Sequence, residues 1–110
     1  HEKFVPGLRE RQHEVHVSLS QTLAARGADL IVWPESSYPF PLRRDVSRDF
    51  PDHDPRKLQR GFTTPLLFGA LTLERRGSEW APYNTALLLD KAGEVRGRFD
   101  KNFLLIFGEY

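Results

Sequence analysis

The sequence contains no cysteine and no methionine among its 110 residues. The missing thiols exclude a disulfide framework, a cysteine-based zinc site, and thiol catalysis carried by these residues alone. An excess of one charge is missing as well, since 16 basic and 15 acidic residues leave a formal net charge of +1. No field is therefore available to hold a phosphate backbone or an anionic bilayer by charge alone, and nucleic acid is not an expected partner. Long hydrophobic runs are absent too. The most apolar stretches, Leu66 to Leu73 and Ala86 to Leu89, fall far short of the ~20 residues needed to cross a bilayer. The opening His-Glu-Lys-Phe-Val-Pro-Gly lacks a basic region followed by an apolar one and does not read as a signal peptide. There is no initiator methionine, and Tyr110 directly follows a Leu-Leu-Ile-Phe-Gly-Glu run. The expectation is a piece of a longer protein.

What is present has the balance of a globular segment, with 39% hydrophobic and 28% charged residues, in a length that suits one small domain or part of one. From Leu8 to about Arg26 the apolar residues Leu8, Val15, Leu19 and Leu23 recur among Glu, Arg, Gln and His, predicting a helix with one buried stripe. Pro6 and Gly7 open it, and Gly27 suits a left-handed cap at its end. Asp29 to Trp33 reads as a short strand buried on both faces, ended by Pro34. Residues 36–64, with Pro39, Pro41, Pro51 and Pro55, read as a long loop that holds at most a short helix near Arg56 to Arg60. A loop of that length in a compact domain usually serves or covers a site. Two strands follow, Leu66 to Leu73 and Tyr83 to Leu89, joined across Arg76-Gly77-Ser78 as a hairpin. A tight turn at Lys91-Ala92-Gly93-Glu94 leads to a third strand, Val95 to Phe99. A helix feeding a buried strand together with hairpins predicts an α/β fold with a mixed sheet.

Three residues stand where chemistry collects. Glu35 follows a predicted strand, at a position where loops open a crevice over an α/β sheet. A carboxylate partly desolvated there is suited to act as a base, although a helix N-cap or a surface glutamate explains the residue alone at least as well. Lys101 enters the apolar segment Phe103 to Phe107, where a lysine either snorkels to solvent or offers its ammonium to a developing oxyanion. Glu109, eight positions on, would keep a neighbouring lysine charged. Other residues lean toward plainer roles: Trp33 toward core packing, His13 and His16 toward a solvated helix face, and Asn84 toward satisfying backbone groups. The Arg43-Arg44 pair reads as solvated loop with phosphate contact as the alternative. Tyr38 and Phe40, in the same loop, are candidates for an apolar contact surface, which the family resemblance given below would make a surface for an acyl chain.

The contexts of these residues carry more than the residues alone. Asp29-Leu30-Ile31-Val32-Trp33-Pro34-Glu35, then Tyr83-Asn84-Thr85-Ala86-Leu87-Leu88-Leu89-Asp90 with Gly93, then Asp100-Lys101 and Phe107-Gly108-Glu109-Tyr110 resemble, in the same order, the nitrilase-like carbon-nitrogen hydrolase superfamily. Within it they are most similar to the apolipoprotein N-acyltransferases, a branch that the Trp-Pro-Glu and Phe-Gly-Glu-Tyr elements favour over soluble amidases. Ile106 and Phe103 depart from that pattern, which usually has proline before Phe-Gly-Glu and a polar residue two places after the lysine.

The resemblance implies an α-β-β-α sandwich, of which residues 1–110 would be a partial domain that stops before the catalytic cysteine. It implies that Glu35 is the general base, Lys101 the oxyanion stabiliser and Glu109 the second glutamate supporting both. It also implies covalent acyl transfer without metal or cofactor: from a phospholipid acyl donor to a cysteine thioester, then to the N-terminal amine of an apolipoprotein acceptor. The place implied is the bacterial inner membrane, with the catalytic domain facing the periplasm and membrane segments outside these residues. The competing expectations are a soluble, cytoplasmic carbon-nitrogen hydrolase acting on an amide, nitrile or carbamoyl compound, and a degenerate domain that only binds.

Overall fold

A computed structural model describes residues 7–35 and 37–100. The order of elements is helix α1 (Leu8–Ala25), strands β1 (Ile31–Val32) and β2 (Leu42–Arg43), then β3 (Leu66–Arg76), β4 (Glu79–Leu89) and β5 (Val95–Asp100). One sheet holds all five strands in the order β1-β3-β4-β5, and β2 also pairs with β3. Both β1 and β2 run parallel to β3, while β3–β4 and β4–β5 are antiparallel. The mixed α/β sheet expected from the sequence is therefore present.

The end of α1 forms as the sequence suggests. Gly27 takes a φ of 92°, its N–H donates to Ala24 O at 3.0 Å, and the Ala28 N–H reaches Leu23 O at 3.2 Å. These two bonds satisfy carbonyls that the last helical turn leaves open, and the left-handed residue between them is one that glycine adopts without a Cβ penalty.

The buried side of α1 differs from the expectation. Val15, Leu19 and Leu23 are 56%, 56% and 47% exposed, whereas His13, Val17 and Ser20 are buried and Ala24 packs against the core. Positions 13, 17, 20 and 24 form their own helical stripe. That stripe wins because its polar members find partners. The Ser20 hydroxyl oxygen accepts the Trp33 indole N–H at 2.8 Å, and His13 Nε2 pairs with Lys57 O at 3.1 Å. His13 thus lies in the core at 1% exposure, not on a solvated face.

The central hairpin is longer and tighter than expected. Arg76 stands opposite Glu79, so only Gly77 and Ser78 turn the chain, with Gly77 at a φ of 63°. Strand alternation divides the sheet into two faces. On the inner face Leu66, Phe68, Ala70 and Thr72 meet Leu89, Leu87, Thr85 and Tyr83, and this face shares a core with Val17, Ile31, Trp33, Tyr38, Leu42, Leu58 and Phe62. The outer face presents Val32, Leu71 and Phe99, all exposed, beside the partly buried Leu67, Ala86 and Leu88. Thus β1 is buried on one face only, a correction to the two-sided burial expected.

The long loop holds no helix near Arg56 to Arg60. Instead β2 pairs with β3, and the chain then runs to the start of β5, where Val95 N–H donates to Ser47 O and Asp49 N–H to Gly93 O at 2.9 and 2.7 Å. The Asp49 carboxylate organises the rest by accepting the backbone N–H groups of Phe50, Leu58 and Gln59 at 2.7–2.9 Å. Carboxylate-to-amide bonds of this kind replace the helical ladder that an irregular segment lacks.

Candidate active site

The three expected site residues do not all fall within the described region. Lys101 and Glu109 lie outside it, as do the departures at Phe103 and Ile106. Glu35 is described and is exposed, so the partial desolvation expected for it is not found.

Its backbone is nevertheless firmly placed. The ladder continues past β1, with Trp33 N–H donating to Leu67 O at 2.9 Å, and the Ser37 N–H closes a turn onto Pro34 O at 3.2 Å with Glu35 inside it. Two buried aromatic residues bracket that turn. Trp33 is tied to Ser20, and the Tyr38 hydroxyl donates to Arg56 O at 2.6 Å. Burial pushes the Tyr38 phenol far above its usual range, so it remains a neutral donor. Trp33 is core, as expected, and Tyr38 belongs to the core more than to an open surface.

The sheet topology brings the Glu35 turn and the end of β5 to one end. Since β5 is antiparallel to β4, and β4 to β3, strand β5 runs in the same direction as β1. Asp100 stands opposite Thr85, which stands opposite Ala70, while Val32 stands opposite Leu67. Strand β1 therefore ends three positions short of the Asp100 level, and Glu35 is three residues past Val32. Three strand spacings separate β1 from β5, about 14 Å across the sheet.

A cavity of ≈ 220 Å³ lies at this level, lined by Arg9, Tyr38, Phe40, Leu71 and Asn84 among others. Asn84 is exposed at its wall, and among the described residues it does not satisfy backbone groups as expected. Phe40 is half-buried and packs against the core.

The arginine pair separates into two roles. Arg43 makes an exposed ion pair with Asp45 at 3.1 Å. Arg44, read from the sequence as solvated loop, crosses the inner face of the sheet. It makes a two-pronged pair with Asp100, one prong at 3.1 Å, and its guanidinium lies 4.0 Å over the Tyr83 ring. Thr72 and Thr85 hydroxyls, bonded to each other at 2.8 Å, also lie within reach of Arg44 Nη1 at 3.5 Å. The guanidinium holds the Asp100 carboxyl below the usual carboxylate range, and the Asp100 partner raises Arg44 in turn. The Asp-Lys dipeptide was visible in the sequence; its arginine partner, 56 residues earlier, was not.

His16 bonds within its own helix, through Nδ1 to Gln12 O at 2.8 Å, and leans on Trp33. Among the described residues no group of three or more His, Cys, Asp or Glu could hold a metal ion. No described helix is long and apolar enough to cross a membrane.

No protein-family model matches the chain. Curated proteins do match it, and the class they define is acyltransferase. The particular relatives carry one name, apolipoprotein N-acyltransferase: that of Geobacter metallireducens is 36% identical over 98% of this chain, that of Rhizobium meliloti 38% over 88%, and that of Chlorobaculum tepidum 29% over 99%. The resemblance drawn from the motifs thus extends over nearly the whole sequence. The chain spans about one fifth of the length of these relatives, 20%, 18% and 23% respectively.

Proposed function

We propose that this chain is a segment of an apolipoprotein N-acyltransferase, part of a carbon-nitrogen hydrolase domain whose catalytic cysteine lies outside these residues. The observation that carries the reading is the 36% identity over 98% of the chain to a relative of that name. Glu35 takes the proton of the cysteine thiol. The thiolate attacks the ester carbonyl of a phospholipid, Lys101 stabilises the tetrahedral oxyanion, and a lysophospholipid leaves as the thioester forms. The N-terminal amine of a lipoprotein then attacks the thioester, forming an amide and returning the thiol. A free thiol, with a pKa near 8.5, is only a few per cent ionised at neutral pH, which is why a base beside it is needed. Glu109 supports Lys101 and Glu35. These roles need no metal or cofactor, and the reading carries with it a location at the bacterial inner membrane with this domain on the periplasmic side.

Two structural features support the reading. The parallel directions of β1 and β5 bring the Glu35 turn and the strand that leads into Lys101 to the same end of the sheet. The apolar outer face, with Val32, Leu71 and Phe99 exposed, is suited to meet a second sheet, as an α-β-β-α sandwich requires. In the complete protein, Glu35→Gln or Lys101→Met is expected to abolish the acyl-thioester seen by mass spectrometry of phospholipid-treated enzyme. Wild-type thioester accumulation in either variant would refute the assigned roles.

A further inference from the structure

We propose that Arg44 is a positioning residue, clamping Asp100 so that the chain enters the site correctly at Lys101, the next residue. The inference rests on the proposed role of Lys101 but comes from contacts outside the Glu-Lys-Cys set. Among the described strands β5 pairs with β4 alone, and Thr85–Asp100 is the last pair described. A strand paired on one side only is held less firmly than one paired on both. Arg44 supplies the hold from the long loop, and it contacts three strands at once: Thr72 on β3, Thr85 and Tyr83 on β4, and Asp100 on β5. The loop is tied back by β5 itself, since Arg98 donates to the carbonyl oxygens of Arg44 and Val46.

An isolated exposed ion pair would orient little, being worth under about 1 kcal/mol. Arg44 differs in having its guanidinium plane fixed by the Tyr83 ring below and by two carboxylate oxygens at the edge. That planar fork has a single orientation, which a lysine ammonium cannot reproduce. The long loop that begins after Glu35 therefore also fastens the strand leading to Lys101, so one segment sets the spacing between the two ends of the site. A shift of about 1 Å in a reacting group is enough to slow a reaction by about a hundredfold.

The test uses the complete protein. Rates of acyl-thioester formation and the phospholipid KM would be measured for Arg44→Met, Asp100→Asn, the double variant, Arg44→Lys and Lys101→Met, with thermal unfolding midpoints alongside. The expected result is thioester formation slowed about tenfold to a hundredfold in each single variant. KM should stay within about twofold, the midpoint should hold, Arg44→Lys should rescue only partly, and the double variant should be no slower than the slower single. Should Arg44→Met fail to fold, Asp100→Asn carries the same comparison. Wild-type rates in Asp100→Asn, with Lys101→Met inactive, would overturn the clamp and leave the function reading standing. A rate loss that follows a fallen midpoint, or one expressed equally in KM, would also overturn it. Full thioester formation by Lys101→Met would overturn the function reading and the clamp together.

Discussion

Replacing His13 by phenylalanine should remove a pH dependence of stability while leaving the fold intact. The imidazole is packed edge-on against Trp33, Tyr38 and Phe40 with ring centroids 5.3–5.7 Å away, and a phenyl ring preserves those contacts. Its Nε2 pairs with Lys57 O, but its buried Nδ1 has no partner among the described residues. Losing the single hydrogen bond costs about 1 kcal/mol, and relieving an unsatisfied buried nitrogen returns about 1–3 kcal/mol. Above pH 7 the variant should therefore lie close to wild type or somewhat above it. Acid separates them. Burial lowers the His13 pKa from its ordinary 6.5, with the Lys57 carbonyl and Glu14 opposing and Arg60 and His16 assisting. As pH falls below 6.5 the unfolded chain takes up a proton that the folded chain resists, so wild-type stability falls, by at most about 1.4 kcal/mol per pH unit. His13→Phe loses this component and should gain on wild type steadily between pH 6.5 and 5. Urea midpoints of the complete protein at half-unit steps from pH 8 to 5 would show the curves diverging only below 6.5. Parallel curves across that range would refute the assignment of His13 as a core imidazole kept neutral.

Two further substitutions test the framework that holds the site. Asp49→Ala strips the acceptor from the Phe50, Leu58 and Gln59 amides and should cost about 3 kcal/mol; faster hydrogen exchange at those three amides is the readout, and unchanged protection would contradict the role. Gly27→Ala meets no atom within 4 Å but forces a Cβ onto a φ of 92°, for a loss of about 1–2 kcal/mol; an unchanged unfolding midpoint would count against the cap.

Local signals in the sequence were dependable where the physics is local. The Gly27 cap, the Pro34 break, the Lys91–Glu94 turn and the β-branched and aromatic runs each act within a few residues, and the corresponding elements formed. Failures came where distant partners decide. Hydrophobicity alone selected Val15, Leu19 and Leu23 for the inner side of α1, because the Trp33 indole and the Lys57 carbonyl that make Ser20 and His13 good core residues lie far along the chain. A stripe of small and polar residues at 13, 17, 20 and 24 was nevertheless visible as a second helical period. Glu35 was singled out by the Trp-Pro-Glu motif, which carried no sign of its exposure. The Arg44 network was hidden because an arginine in a proline-rich loop looks solvated until the sheet brings Asp100 to it.

The polar members of the α1 stripe also tie the helix to the segment around Glu35. An apolar contact resists separation but tolerates sliding, whereas a hydrogen bond fixes position along and across an element. Ser20 holds the indole of Trp33, two residues before Glu35, and His13 holds the loop carbonyl of Lys57, beside the Arg56 carbonyl that receives the Tyr38 hydroxyl. Both sides of the Glu35 turn are thereby referred to the same helix, one directly and one through the loop. Filling positions 13 and 20 with leucine would make α1 look more amphipathic and would bury more apolar area. It would also remove the directional bonds that locate the Trp33-Pro34-Glu35 segment, so the helix would remain a layer of the fold but lose its hold on the turn.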